Sequence, residues 1–255
     1  MIKGIFDTHA HYDDEQFSAD RDELLESIHT TADKIITCGC DAESIKNAAQ
    51  ISEKFDFIYF AAGFHPEREN EVTQEEFELL EEYLSFDKCV AVGEIGLDYH
   101  WDGILSHQQQ IELFEKQIMI AKEHDLPVIV HDREAHQDTF DVLKKYRPKG
   151  VLHCYSGSSE MMKEIVKLGM YIGIGGVVTF KNARKSLDVA ALVPVERLLL
   201  ETDAPYLSPV PFRGKRCDSS MIEYTAQTVA AIKGMDTQDL VNIAHQNACE
   251  LFGIK

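Results

Sequence analysis

The chain has 255 residues, 44% of them hydrophobic, enough to bury a full core as one domain spanning 1–255. Its 44 acidic residues outnumber 25 basic ones, for a formal charge of -19 and a pI near 4.9. That balance excludes a protein that coats nucleic acid by long-range attraction, while leaving room for nucleic acid gripped locally through metal ions.

Short β-rich runs alternate with longer segments of helical period, the mark of repeated βα units around a parallel sheet. In chain order, a strand over 4–7 precedes a helix over 20–29, 34–38 precedes 42–55, 57–62 precedes 74–84, and 89–94 precedes 106–123. Strands over 127–131, 150–154 and 170–174 precede helices over 135–146, 159–168 and 182–192. The eighth strand, 197–201, leads to two helices, 222–232 and 237–251, that complete the outer ring. The helix over 106–123 has the plainest period, with Ile111, Phe114, Ile118 and Ala121 on one face. Eight such units predict an α/β fold, a (β/α)8 TIM barrel. In that fold catalytic groups occupy the C-terminal strand ends and the loops after them.

The polar residues fall at those places. The first strand leads into His9-Ala10-His11, whose two-residue spacing turns both imidazoles to one side. With 11 histidines in the chain, roughly 0.5 such pairs arise by chance, so this pair alone decides nothing. The fourth strand ends in Glu94, the fifth in His131, the sixth at His153, and the eighth runs into Glu201-Thr202-Asp203. Four histidines and two acids at five strand ends make a mixed imidazole–carboxylate set suited to divalent cations, with coordination positions left open for water.

His65, before Pro66, is either an outer member of the site or a loop histidine placed by the proline. Glu201 is expected to orient a ligand or meet substrate. Arg133, two residues after His131, has the shape to grip a phosphate oxygen. Arg213 and Lys215, in the loop after the eighth strand, add two cations on the same side, unless they are simply solvated. Trp101, the single tryptophan, either stacks on a substrate base or packs. His29, His107, His124, His136 and His245 fall in helical stretches and are left outside the site.

Six cysteines show no CxxC spacing, and no basic-then-apolar leader opens the chain, so a reduced cytoplasmic setting is expected. Cys38-Gly39-Cys40 is compatible with a soft-metal or redox site, but it ends an apolar run where small buried thiols are ordinary, and core packing is the reading adopted. No apolar segment approaches the roughly 20 residues that span a bilayer. Neither a membrane nor an obligate protein partner is implied.

The motifs Phe6-Asp7-Thr8-His9-Ala10-His11, Gly63-Phe64-His65-Pro66 and Gly93-Glu94-Ile95-Gly96-Leu97-Asp98-Tyr99 resemble those of the TatD family of metal-dependent deoxyribonucleases. So do Pro127-Val128-Ile129-Val130-His131-Asp132-Arg133, His153-Cys154-Tyr155-Ser156-Gly157-Ser158 and Glu201-Thr202-Asp203-Ala204-Pro205-Tyr206-Leu207. The resemblance runs through essentially the whole chain and implies a TIM-barrel metallohydrolase with two divalent cations, Mg²⁺, Mn²⁺ or Zn²⁺. His9, His11 and Asp203 would bind one cation, His131 and His153 the other, and Glu94 would bridge them. Two departures stand out. Cys217-Asp218-Ser219-Ser220 replaces an Asn-Glu-Pro-like stretch, and Tyr12 replaces an aliphatic residue.

The expected activity is hydrolysis of DNA phosphodiesters from a 3′ end, with Glu94 and Asp203 as catalytic carboxylates and a metal-activated water as nucleophile. His65, Arg133, Glu201, Arg213 and Lys215 are the expected substrate contacts. Two alternatives share the scaffold: an ester or amide hydrolase, such as a D-aminoacyl-tRNA deacylase, and a non-catalytic barrel that binds a partner.

Overall fold

A computed structural model describes residues 2–102 and 104–255. Eight parallel strands form one sheet in the order β1 to β8. They are β1 (Ile5–Ala10), β2 (Ala32–Gly39), β3 (Ile58–Ala62), β4 (Cys89–Asp98), β5 (Val128–Arg133), β6 (Gly150–Leu152), β7 (Tyr171–Ile174) and β8 (Leu198–Leu200). The helices between them are α1 (Arg21–Ile28), α2 (Ala42–Lys54), α3 (Gln74–Leu84), α4 (His107–Glu123), α5 (His136–Tyr146), α6 (Ser159–Lys167) and α7 (Arg184–Leu192). Two more, α8 (Ile222–Lys233) and α9 (Thr237–Phe252), follow β8. Among the described residues no helix is long and apolar enough to cross a membrane.

The sheet curls into a TIM barrel because alternate strand positions are apolar on both faces. Phe6, Ile36, Ala61, Ala91, Ile129, Val151 and Leu199 form one buried cluster with Phe252 of α9. Their strand neighbours Ile5, Ile35, Phe60, Val92, Val128 and Leu198 join the larger cluster that packs the helices on the sheet. The last seam, β8 against β1, is drawn together by backbone bonds from Asp203 N to His9 O (2.9 Å) and from His11 N to Ala204 O. Barrel closure therefore fixes three of the expected ligands relative to one another.

Local chemistry explains the helix starts. Asp41, Thr73 and Ser106 cap α2, α3 and α4 with side-chain oxygens, each in a reciprocal capping box. Gly234 and Gly253 end α8 and α9 in left-handed conformation.

Two expectations need correction. β4 does not end at Glu94 but runs to Asp98, because after a register shift it pairs Gly96 with His131 and Asp98 with Arg133. Glu94 is thus inside a strand, and His131 likewise lies within β5. The seventh helix begins at Arg184, and the chain before it, Gly176–Thr179, forms a 3₁₀ turn. Further 3₁₀ turns at Glu15–Phe17, Val195–Arg197 and Ser219–Met221 carry no clear periodic signal.

Candidate metal centre

The strand ends converge on Glu94, whose two oxygens face different partners. Oε2 lies 3.3 Å from His9 Nε2 and 3.6 Å from His11 Nε2. Asp203 Oδ1 is 3.6 Å from His9 Nε2 and 3.4 Å from His11 Nε2, and the two imidazole nitrogens are 3.1 Å apart. Donors about 2.1 Å from a shared cation lie about 3.4 Å from one another, and the pairs that His9 and His11 make with each other, with Glu94 and with Asp203 span 3.1–3.6 Å. On the other side, Oε1 lies 2.8 Å from His131 Nδ1 and 2.7 Å from His153 Nε2, and those nitrogens are 3.4 Å apart. The His9 and His153 rings stack at 3.9 Å between the two sets.

Three of these ligands are held from behind. His11 Nδ1 donates to the Cys38 carbonyl (3.1 Å), which leaves Nε2 free to face the cluster. His131 Nε2 meets Asp98 Oδ2 at 3.0 Å. Asp203 has φ 64°, a left-handed conformation rare outside glycine, and is held there by its N–H bond to His9 O. Thr202 beside it is tied to buried Asp7 through its backbone N–H (3.0 Å) and hydroxyl (2.6 Å).

The charge pattern suits cations. Burial opposes ionisation of Glu94, yet the charges at His153, His9 and His65 and the bond from His131 hold it well below the usual carboxylate range. Asp203 is lowered in the same way, with burial outweighed by its bond to His11 and by the neighbouring imidazoles. Burial, and then the charge at His153, pull His9 down to about 4. His131 goes the other way: burial disfavours its charge, but Asp98 and Glu94 raise it to about 10. Ionised carboxylates thus draw positive charge into a pocket of nitrogen and oxygen donors, and the residues present fit divalent cations.

The remaining expected residues separate. His65 joins the centre, with Nε2 3.6 Å from Glu94 Oε1. Glu201 is 1% exposed and does not reach out toward a substrate. Its Oε1 accepts the Cys154 N–H and lies 3.8 Å from His153 Nδ1, so of its two expected roles the position permits ligand orientation. A Cβ at Gly173 would come within 2.3 Å of Glu201 Oε2, so only glycine leaves room for that carboxylate. Arg133 is exposed, its guanidinium 5.2 Å from the Trp101 ring. Arg213 and Lys215 are exposed in the loop between β8 and α8, lying over the Phe180 and Phe212 rings.

Several contributors escaped sequence reasoning. Asp98 stands two and four residues from Gly96 and Glu94, on the same strand face, a spacing that would have flagged it had β4 been drawn to its full length. Gln110 and Gln117 sit seven apart on the inner face of α4, where an apolar pattern hides two buried amides. Gln117 clamps Phe64, accepting from N (2.7 Å) and donating to O (3.0 Å); Gln110 does the same to Asp98 at 2.9 Å each way. The helix thereby fixes the backbone next to His65 and the partner of His131. Gln117→Ala strands both polar groups of buried Phe64 and is expected to cost about 3 kcal/mol. Urea denaturation would measure it, with a loss under about 0.5 kcal/mol counting against the clamp.

The family model described as TatD related DNase matches residues 6–253. YabD of Bacillus subtilis (strain 168), an uncharacterized metal-dependent hydrolase, is 41% identical over 254 residues, covering 98% of this chain and 99% of YabD. YcfH of Escherichia coli (strain K12), described in the same words, is 39% identical over 202 residues, covering 78% of this chain and 75% of YcfH. Among solved structures, the TatD homologue YjjV from Escherichia coli K12 superposes with TM-score 0.93 at 32% identity, over all of both chains. A TatD family hydrolase from Entamoeba histolytica gives 0.88 at 25% identity, again over all of both. A whole-length family match, a relative above 40% identity and a shared barrel lead to one conclusion: the chain belongs to the TatD family of metal-dependent hydrolases.

Proposed function

We propose that this hydrolase cleaves DNA phosphodiester bonds, removing nucleotides from a 3′ end, with two divalent cations held on either side of Glu94. The observation that carries the reading is the division of Glu94: one oxygen faces His9, His11 and the Asp203 side, the other faces His131 and His153. His9, His11 and Asp203 on one side and His131 and His153 on the other would hold the cations, which when bound would lower the pKa of a water and polarise a phosphoryl oxygen.

The chain's own residues supply the rest. Asp203, beside His9 and His11, accepts the proton of the attacking water. Arg133, the exposed cation beyond His131, offsets charge on the non-bridging oxygens as attack proceeds. Trp101, 46% exposed and next to Arg133, offers a face on which a terminal base stacks. Arg213 and Lys215 hold the strand further along. A net charge of -19 makes the grip local, confined to the cations and these few side chains. The family model's description as a DNase supports the choice of substrate.

Incubation with 5′-labelled single-stranded DNA tests the proposal. The expected product is a ladder shortening from the 3′ end, sensitive to EDTA and absent in His131→Ala and Asp203→Ala. Turnover of a D-aminoacyl-tRNA ester under every cation tried, with DNA left intact, would move the assignment to ester hydrolysis. In the same assay Arg133→Ala is expected to raise KM about tenfold, the loss of one charge-assisted contact, with little change in kcat. An unchanged KM would remove Arg133 from the substrate contacts.

A further inference from the structure

The thiol of Cys40 stands at the edge of the cluster just described, and the core-packing reading of the Cys38-Gly39-Cys40 pair holds only for its first member. Cys38 is fully buried and directs Sγ at His9 Nδ1 (3.5 Å), the ring nitrogen that faces away from the other ligands. Cys40 is only partly buried, and its Sγ lies 3.7 Å from Glu94 Oε2, the carboxylate oxygen shared with His9 and His11. It is also 3.9 Å from His11 Nδ1, the ring nitrogen that donates to the Cys38 carbonyl, so it flanks that ring on the side away from Nε2. His11, Cys40 and Glu94 each present a donor atom within 4.8 Å of the others, a third donor set overlapping the first.

We propose that Cys40 gives a thiolate to the cation on the His9, His11 and Asp203 side, and that this chain's centre therefore selects a thiophilic cation over Mg²⁺. The inference rests on the two-cation reading and deepens it by naming the class of metal. Three features carry it. Sγ approaches the one oxygen of Glu94 that is turned to this cation and not the one turned to His131. The carboxylate it approaches is almost fully buried, at 4% exposure, and so is fixed in direction. The end of β2 is pinned as well: Cys40 N donates to Ser44 Oγ (2.8 Å) inside the α2 capping box, and the Cys40 carbonyl accepts from His65 N (3.0 Å). The thiol is thus presented from a backbone tied on two sides.

Soft sulfur favours Zn²⁺, Co²⁺ and Cd²⁺, whereas imidazole and carboxylate alone admit Mg²⁺ and Mn²⁺ as well. Coordination replaces the S–H bond with a sulfur–metal bond and releases one proton to solvent.

Cobalt is the probe. The full chain, stripped of metal by a chelator, is titrated with Co²⁺ and followed in the near ultraviolet. The expected result is a thiolate-to-cobalt charge-transfer band that saturates with binding, is lost in Cys40→Ser and is kept in Cys38→Ser. Cys40→Ser is also expected to bind Zn²⁺ about tenfold more weakly or worse, with Mg²⁺ affinity unchanged. Zinc K-edge absorption of the unaltered protein gives a readout that needs no variant: a sulfur shell at about 2.3 Å. Stoichiometric cobalt without the band, a band that survives Cys40→Ser, or a zinc shell of nitrogen and oxygen alone would overturn the role of Cys40 and leave the two-cation centre standing. Failure to retain Co²⁺, Zn²⁺ or Mn²⁺ at all would overturn both.

Discussion

If two cations share Glu94, as proposed, Glu94→Gln is expected to remove both and with them about a thousandfold or more of activity, while leaving the barrel folded. The substitution keeps shape and volume, so the β4 backbone and its neighbours need not move. What changes is charge and donor type. Oε1 now sits 2.7–2.8 Å from His153 and His131, and Oε2 3.3 Å from His9. An amide offers one neutral oxygen and one N–H donor in place of two anionic oxygens, so it cannot accept from both sides. The two half-sites lose their common ligand together, and the chemistry that depends on a cation pair goes with them. Metal content by mass spectrometry and far-ultraviolet circular dichroism separate the outcomes. A folded variant that keeps two equivalents of metal would contradict the bridging role.

Gly96→Ala is expected to be the most damaging single methyl near the site. Gly96 pairs with His131 across β4 and β5, and a Cβ there would lie 2.0 Å from His131 O and 2.9 Å from His131 C. Both obstacles are backbone atoms, so no side chain can turn aside to relieve them. The φ of 146° adds a second penalty, since that region is open only to glycine. Overpacking and dihedral strain together come to about 3–5 kcal/mol, a third or more of the stability of a typical domain. For a chain of this size that corresponds to a fall in Tm of roughly 10 °C. Because the clash bears on His131 itself, metal affinity should fall as well. Calorimetry with and without added Zn²⁺ reads both effects; a Tm within about 2 °C of the parent protein would show that the strands spread at little cost.

Much of the site was legible because its residues terminate apolar runs. Val151-Leu152-His153 and the runs before His131 and Asp203 each pair a buried strand with a polar end, and a parallel barrel collects such ends on one side. Glu94 was found but misplaced. Gly96 two residues later reads locally as a turn, whereas in the barrel it is what lets β4 run alongside β5 as far as Asp98. Contacts between distant segments were not legible at all. Nothing near Gln117 announces that its amide satisfies Phe64, 53 residues away. The orientation of Cys40 toward Glu94 likewise depends on how β2 and β4 lie across the barrel, and the same is true of Tyr12. That departure from the family pattern meets the other one, since the Tyr12 hydroxyl and Ser219 Oγ lie 2.7 Å apart and Ser219 donates onward to Asp7 Oδ2. Two substitutions that look unrelated in sequence are a single hydrogen-bonded pair in the fold.

The most direct test of the central claim is anomalous diffraction from crystals soaked in Zn²⁺ or Mn²⁺, recorded on both sides of the metal edge. Two peaks about 3.5–4 Å apart are expected, one among His9, His11 and Asp203, the other between His131 and His153, with Glu94 reaching both. A single peak, or peaks that leave Glu94 unliganded, would contradict it.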